Sequence, residues 1–271
     1  MYADLSSWWT CLVAGQDAAS WLNDLVTNRV DDLERQGSRR TLLLSRTGHV
    51  RADFHVLATR DGLLLVQDPV QPRPIRALLE PYVLSSDVEF RDRTSELALF
   101  SSPTAGGHVP RVEAWTPSVL GSGLDQLIPA GDVEEWKARN RYRLEATDVD
   151  LETWRIRRGI PRFGVDLGED ALPAEAGWDG LVDQSKGCFL GQESVAKVRN
   201  LGHPARVITA LRADAGVRPG EPVLEDGAEV GRITGVAPDG DGFALLARVR
   251  WEAREGSLRT PGQVRLLRRS P

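Results

Sequence analysis

The amino-acid sequence predicts an α+β fold that ends in a small all-β barrel. Helical and strand-like apolar patterns alternate over residues 1–205. After Pro204 the chain becomes a series of short apolar stretches separated by glycine turns, which is typical of a barrel of roughly 65 residues. Because 41% of the residues are hydrophobic and 27% are charged, as in ordinary globular proteins, the 271 residues can bury a sizeable core.

The first helix is predicted from the apolar spacing between Gly15 and Gly37. Asp17 is a candidate N-cap, and Gly37 lies beyond the end of the pattern. Apolar side chains recur there at three- and four-residue steps: Trp21, Leu22, Leu25, Val26, Val30 and Leu33. This spacing predicts one amphipathic helix across the whole stretch.

The region that follows changes to a period of two. In "TLLLSRTGHVRADFHVLATRDGLLLVQ" the residues Ala52, Phe54, Val56 and Ala58 alternate with polar ones, and "RTGH" and "RDG" supply turns, which predicts three antiparallel strands. Pro74 opens a predicted short helix, and strand patterns resume at 87–102. Helices are predicted within 132–146 and, between Thr147 and Gly159, over about three turns. The stretch 101–131 is rich in proline and glycine, so we expect irregular connections with one short strand.

Charge and cysteine content narrow the classes of function. A net charge of -5 argues against broad attachment to nucleic acid. Two cysteines make no disulfide framework and fit a reducing compartment. No apolar run approaches the ~18 residues of a membrane span, and the first residues lack the pattern of a signal peptide. We therefore expect a cytoplasmic protein without membrane partners.

A lone cysteine stands in the stretch "DQSKGCFLGQES". Lys186 and a helix that starts near Gln192 would both lower the pKa of Cys188 and favour the reactive thiolate. Glycines at positions 187 and 191 allow tight turns and let backbone amides approach a ligand. The alternative is that Cys188 is a small buried side chain between two turn glycines.

Metal binding and hydrolysis are weaker interpretations of this cysteine. Cys188, Cys11 and His203 do not have the spacing of a zinc site, so no metal is expected. A Cys–His nucleophilic pair would need His203 to meet Cys188 in space, which the sequence does not indicate.

The segment "KGCFLGQE" at 186–193 resembles the K-G-C-(aromatic)-x-G-Q-E signature of YgfZ proteins, which are folate-binding relatives of the glycine-cleavage T-protein. Further similarity lies in "WLNDLVTNRV", "RRGIPRFGVD", "PAEAGWDGLVDQ" and "GAEVGRITGVA", so the resemblance spans nearly the whole chain. It implies a functional thiol at Cys188 with Lys186 as its catalytic neighbour. The remaining loop residues of the motif are Gly187, Phe189, Gly191, Gln192 and Glu193.

The resemblance also implies an architecture and a ligand. The expected fold has three lobes around a central hole: two interleaved α/β lobes, 1–46 with 143–205 and 47–142, followed by the barrel at 206–271. Folate, as tetrahydrofolate, is the expected ligand. YgfZ proteins are associated with iron–sulfur cluster assembly or repair and, through iron–sulfur enzymes, with tRNA modification, so iron–sulfur proteins, their assembly factors and tRNA-modifying enzymes are the expected partners.

Two departures from the T-protein pattern concern its carboxylates. Arg157 stands where the family has a glutamate that grips the pterin, and a guanidinium cannot accept the hydrogen bonds that a pterin donates. Pro74 stands near the catalytic aspartate position, with Asp68 close by. Without a base to orient or deprotonate the folate nitrogen, we expect no aminomethyltransferase activity.

Some contacts with folate are still expected. Counting back from Gly15 places Trp8 at one of the two aromatic positions that flank the hole. Counting back from Gly159 places Leu151 at the other, with Trp154 nearly one turn later as a substitute. Core packing explains a tryptophan such as Trp8 equally well. Arg155 and Arg157 are candidates to pair with an anionic folate tail through bidentate hydrogen bonds.

Three functions therefore remain open from the sequence. The preferred one is a folate-dependent accessory protein for iron–sulfur proteins that uses Cys188. The second is a one-carbon (aminomethyl) transferase, which the fold favours and the lost carboxylates oppose. The third is an RNA- or protein-binding module built on the basic stretch 186–206, for which a steep salt dependence of tRNA binding would be the sign.

Overall fold

The structure is a computed structural model that describes residues 1–102, 114–115, 117–121 and 123–269. Backbone contacts divide the chain into two compact units that interleave in sequence. The first contains Met1–Ser45, Arg51–Thr147 and Leu181–Leu190, and the second contains Arg46–Val50, Asp148–Gly180 and Gly191–Pro271. The finer lobe boundaries expected from the sequence stay a prediction.

In its described residues, the first unit is built from two five-stranded sheets and three α-helices. In chain order its elements are β1 (Tyr2–Asp4), β2 (Trp9–Ala14), α1 (Ala18–Leu25), β3 (Ser38–Leu44), β4 (Val50–Ala58), β5 (Leu63–Gln67), α2 (Ile75–Leu79), β6 (Glu89–Asp92), β7 (Leu97–Ser102), β8 (Ala114–Trp115), β9 (Leu124–Pro129), α3 (Val133–Arg139) and β10 (Glu145–Ala146). One sheet has the order β10-β1-β7-β9-β8, and the other has the order β3-β4-β5-β2-β6.

The three-strand prediction is confirmed, because β3, β4 and β5 are neighbours in that order and β4 pairs antiparallel with β5. Every second residue of β4 from Ala52 to Ala58 faces a core that α1 and α2 cover with Leu22 and Ile75. Pro74 precedes α2 with φ -61°, as its fixed backbone torsion predicts.

Helix α1 is shorter than the sequence predicts. It ends at Leu25, and Val26 is extended, with φ -100° and ψ 160°. Val26 and Val30 nevertheless lie in the same core as Leu22. The helix-like spacing of apolar residues therefore extends beyond the end of the helix itself. The chain turns because Thr27 pairs with Leu42 of β3 through backbone and hydroxyl hydrogen bonds of 3.0 and 3.1 Å.

The stretch 101–131 is predicted to be irregular with one short strand, whereas its described residues contain the two-residue strand β8 and the six-residue strand β9. The central β9 residues Asp125 and Gln126 are polar yet almost completely buried, so the apolar alternation that marks a strand is absent. The buried Asp125 carboxylate accepts the backbone N–H of Val119 at 2.8 Å. The rest of that prediction, over 103–113, 116 and 122, falls outside the described residues.

In its described residues, the second unit holds two α-helices and the predicted barrel. Its elements are α4 (Asp148–Arg157), α5 (Gln192–Leu201), β11 (Arg206–Ala213), β12 (Pro222–Glu225), β13 (Ala228–Asp239), β14 (Gly242–Arg250), β15 (Leu258–Arg259) and β16 (Arg265–Arg268). The six strands close in the order β11-β14-β13-β12-β15-β16, which confirms the C-terminal barrel. Helix α4 packs on its outside through Ile156, which approaches so closely that a Cβ on Gly235 would lie 3.0 Å from the Ile156 side chain.

Membrane insertion through a helix finds no support in the part of the chain that the structure describes, where every helix is too short or too polar to cross a bilayer.

Candidate functional site

The segment before the cysteine is organised by one carboxylate. Asp183 Oδ1 accepts the backbone N–H groups of Ser185 and Lys186 at 2.7 and 3.2 Å and the Ser185 hydroxyl at 2.6 Å. These bonds, that of the Ser185 hydroxyl first, hold the pKa of Asp183 well below its usual range. Arg29 Nε lies 3.3 Å from Asp183 Oδ2, and the Asp183 N–H donates to the Thr27 carbonyl at 3.0 Å. The turn is therefore fixed against the chain that follows α1.

Lys186 turns inward and is 5% exposed. Its ammonium group donates to three backbone carbonyls, those of Asn23, of Val26 at 2.6 Å and of Asn28 at 3.1 Å. Carbonyls in the last turn of a helix have no partner within the helix, and a cation there also meets the negative end of the helix dipole. Lys186 thus caps the C-terminal end of α1.

Burial lowers the pKa of Lys186 to about 8, because the charged form is disfavoured away from water. The carboxylates of Asp31, Asp24 and Asp183 act in the opposite direction, whereas Arg29 adds to the lowering. Since the resulting pKa lies above neutral pH, Lys186 caps the helix mainly as an ammonium ion.

The residues on the far side of the cysteine are also anchored. Phe189 is buried, its ring centroid 5.6 Å from Lys186 Nζ, and Leu190 packs against the core under α1. Gly187 and Cys188, between these anchors, are exposed. The alternative of a cysteine sealed between turn glycines is therefore wrong.

The two glycines of the motif differ in conformation. Gly191 precedes α5 with φ 84°, a left-handed conformation that favours glycine, so the tight turn predicted there is confirmed. The φ of Gly187 lies outside that region, and none of the described atoms lies within 4 Å of the position that a Cβ would take. Neither strain nor crowding within the described chain requires glycine at position 187.

Helix α5 begins at Gln192, as predicted, with Glu193 exposed in its first turn, where the helix dipole favours a carboxylate. Its Ser194 lies against Gly48, whose added Cβ would come within 2.7 Å of the Ser194 side chain. The glycine of the "RTGH" turn is therefore needed for this close approach.

Arg155 is buried at the inner side of α4, with little capacity left for a ligand. Its guanidinium forms a two-contact pair with Glu152 and donates to Asp166 Oδ2 at 2.6 Å and to the Ile160 carbonyl at 3.1 Å. Asp166 also accepts the Arg162 backbone N–H at 2.9 Å. An anionic folate tail would have to compete with two carboxylates for this arginine.

Arg157 and Trp154 lie at more accessible positions of α4. The exposed Arg157 donates from Nε to the Pro238 carbonyl at 2.7 Å and lies 3.5 Å from Asp239 Oδ1, at the β13–β14 turn. Trp154 is half-buried, and the Arg158 guanidinium lies 5.2 Å from its ring centroid. Stacking of a ligand on Trp154 and ion pairing with Arg157 stay predictions.

Within the first unit, the other candidate residues lie near strand ends. Trp8 is half-buried directly before β2, and its backbone N–H donates to the Leu5 carbonyl at 2.9 Å. Asp68 directly follows β5, is 7% exposed, and accepts the Val70 N–H at 3.0 Å. Pro74 supplies only the backbone turn into α2.

Sequence reasoning missed Asp183, although "DQS" is a common side-chain turn pattern in which a carboxylate accepts the N–H two residues ahead. It could not have found the three carbonyls around Lys186, because backbone groups carry no sequence signal. Within the described ranges, no group of three or more His, Cys, Asp or Glu side chains is placed to hold a metal ion.

Comparison with known proteins gives relatives over most of the chain. An aminomethyltransferase of Thermoanaerobacter pseudethanolicus is 31% identical over 267 residues, which cover 85% of this chain and 72% of that protein. A chloroplastic protein of Arabidopsis thaliana, provisionally described as a transferase, is 24% identical over 281 residues, and the match covers 92% of this chain and 65% of that protein. An aminomethyltransferase of Moorella thermoacetica is 34% identical over 152 residues, 54% of this chain and 36% of that protein. No protein-family model matches the sequence.

Among solved structures, the aminomethyltransferase T of the glycine cleavage system from Bartonella henselae superimposes with a TM-score of 0.83 at 17% identity. The superposition covers 99% of this chain and 84% of that structure. This likeness confirms the predicted fold class, a glycine-cleavage T-protein-like α+β fold with a C-terminal barrel.

Proposed function

The chain belongs to the aminomethyltransferase family, and we propose that it is a folate-binding member whose working group is the Cys188 thiol rather than a catalytic carboxylate. The observation that carries the proposal is the exposure of Cys188 between two anchored neighbours, Lys186 and Phe189. A thiol at the surface of a fixed loop can be reached by the sulfur, metal or thiol of another molecule.

Two substitutions support a departure from aminomethyl transfer. Arg157, at the position of the pterin-gripping glutamate, directs its guanidinium to Pro238 and Asp239 and offers no acceptor to a pterin. Pro74, near the position of the catalytic aspartate, has no side-chain group that can take or give a proton. Chemistry that depends on a positioned carboxylate is therefore weakened at both places.

Folate is the proposed ligand, with Trp8 and Trp154 as candidate stacking surfaces and Arg157 as a candidate partner for an anionic tail. The half-burial of both tryptophans supports this role, since each leaves part of its ring system accessible. Arg155 is better assigned to holding α4, because Glu152, Asp166 and the Ile160 carbonyl take its donors.

Iron–sulfur proteins and their assembly factors are the proposed partners, with tRNA modification supported indirectly through iron–sulfur enzymes. The resemblance of "KGCFLGQE" to the YgfZ signature supports this assignment. The proposed setting is the cytoplasm, because Cys11 and Cys188 are both unpaired and an exposed free thiol persists in reducing compartments.

Replacing Cys188 with serine is expected to abolish function without unfolding the protein. Surface substitutions of this size change the free energy of unfolding by no more than about 0.5 kcal/mol. The measurement is the activity of an iron–sulfur tRNA-modifying enzyme in cells that lack the native protein, with the thermal midpoint of each purified variant. Cys11→Ala, which removes a buried cysteine and leaves Cys188, should retain activity. Equal rescue by Cys188→Ser and wild type would refute the role of the thiol.

Arg157→Ala is expected to weaken tetrahydrofolate binding by roughly 5- to 10-fold, the value of one solvent-exposed charge-assisted contact. Isothermal titration with tetrahydrofolate monoglutamate and triglutamate measures the change. Arg232→Ala, an exposed arginine of the barrel, is the matched control. Unchanged affinity for both ligands in Arg157→Ala would remove this residue from the folate site.

A one-carbon transferase is the second candidate, favoured by Asp68. This carboxylate is buried at the end of β5, six residues before Pro74, and is the nearest preceding acid to the catalytic aspartate position. The test is transfer of a one-carbon unit at the formaldehyde oxidation level from an aminomethyl donor to tetrahydrofolate. Transfer by the wild-type protein and its loss in Asp68→Asn would establish this activity and displace the first proposal.

A further inference from the structure

The Cys188 loop is attached at both ends to one part of the first unit. On one side Lys186 reaches the three carbonyls at the end of α1, and on the other Phe189 and Leu190 enter buried positions. Only Gly187 and Cys188 between them are exposed. The position of the thiol therefore depends on a two-residue span whose flanking side chains both point inward.

The contacts of Lys186 argue against its acting as an activator of the thiol. An ammonium group has three N–H donors and no acceptor. The carbonyls of Asn23, Val26 and Asn28 provide three acceptors for those donors. Hydrogen bonding of Lys186 to a thiolate at Cys188 would require one of these buried carbonyls to give up its bond, and an unsatisfied buried polar group is unfavourable.

We propose that Lys186 is a positioning residue that fixes the Cys188 thiol by fastening its loop to the C-terminal end of α1, and that it does not activate the thiol. The proposal rests on the proposed function of Cys188. The role of the lysine is then to hold the thiol in one fixed position, where a partner molecule can reach it.

The early end of α1 supports this role. The Thr27 N–H, which would have closed the next helical hydrogen bond to Asn23, donates instead to Leu42 at 3.0 Å. The Asn23 carbonyl is thereby left for the ammonium group. Lys186 and the shortened helix are thus complementary, because the ammonium group supplies donors to carbonyls that the helix leaves without a helical partner.

The test compares Lys186→Met with wild type and with Lys197→Met, the same change at an exposed lysine of α5. Amide hydrogen exchange of residues 183–189 and the pH profile of Cys188 alkylation by iodoacetamide are measured. For Lys186→Met we expect exchange at least 10-fold faster, an unmoved midpoint of the alkylation profile, and lower rescue in cells. Lys197→Met should match wild type in all three.

An alkylation midpoint that rises by one pH unit or more in Lys186→Met, with unchanged exchange, would overturn the proposal in favour of thiol activation. If Lys186→Met does not fold, exchange in the wild-type protein decides. Residues 183–187 and 23–28 should then open at the same rate, and faster independent opening of 183–187 would contradict the anchor. Failure of the proposed function gives a different result from failure of the anchor. In that case Cys188→Ser would rescue cells, while amide exchange in Lys186→Met would still be faster than in wild type.

Discussion

Replacing Arg155 with methionine is expected to destabilise the second unit by about 3–5 kcal/mol, the effect of removing one partner from a buried ion pair. Arg155 and Asp166 have side chains that are 7% and 0% exposed, and their contact is 2.6 Å. Methionine fills much of the volume but takes the guanidinium from the Asp166 carboxylate, which keeps the neutral donors of the Arg162 backbone N–H and the Thr234 hydroxyl. Urea unfolding monitored by tryptophan fluorescence measures the change.

Two variants sharpen this prediction. Arg232→Met breaks an exposed ion pair with Glu229 in the same unit and should change the free energy of unfolding by no more than about 0.5 kcal/mol. Adding Asp166→Asn to Arg155→Met removes the unpaired buried charge and should recover part of the loss, because residues in one network are not additive. A loss below 1 kcal/mol for Arg155→Met alone would show that the pair does not hold α4.

Acid should destabilise the first unit through His55, and His55→Leu should remove that sensitivity. His55 is buried in β4, and its Nδ1 has no hydrogen-bond partner among the described residues. Burial, with a smaller contribution from Arg40, lowers its pKa to about 3, while Asp53 opposes the change. Below pH 6.5 the unfolded histidine binds a proton that the folded one refuses, so stability is lost as pH falls from 6.5 towards 3.

The size of this effect follows from the pKa difference. At about 1.4 kcal/mol per pKa unit, the loss by pH 3 is at most about 5 kcal/mol. Asp125, with a pKa that burial raises to about 6, titrates in the same range with the opposite sign, so only the difference between His55→Leu and wild type isolates His55. Unfolding at pH 7 and pH 4.5 measures it, with His49→Gln as control. An identical pH dependence in wild type and His55→Leu would contradict the prediction.

The parts of the fold that the sequence predicted well are those where apolar stretches are separated by clear turn residues. The barrel shows short apolar stretches between glycine turns, and the β3–β5 series shows the alternation from Ala52 to Ala58 between its two turns. One short strand was predicted within 101–131, but β9 was not located there, because its buried Asp125 and Gln126 interrupt the apolar pattern. Helix α1 was predicted too long because Val26 and Val30 stay in the core after the helix ends.

In the candidate site, too, the sequence identified the residues but not the contacts that they make in the fold. The motif identified Cys188, and its exposure could not be read from neighbouring residue types. Lys186 lies two residues from the cysteine, which suggested activation, yet its long side chain reaches carbonyls about 160 positions earlier in the chain. Arg155 and Arg157 look equivalent in "RIRRG", but the helical period directs one inward and the other to the surface.

Closure of the barrel bears on how this module behaves among other proteins. Strand β11 pairs with β14 on one side and with β16 on the other, and β16 also pairs with β15, so the ring presents no unpaired strand. An unpaired edge is what recruits strands from a second chain and begins aggregation. Deleting β16 would create two such edges at once, so solubility of the module depends on the four residues Arg265–Arg268 out of proportion to their number.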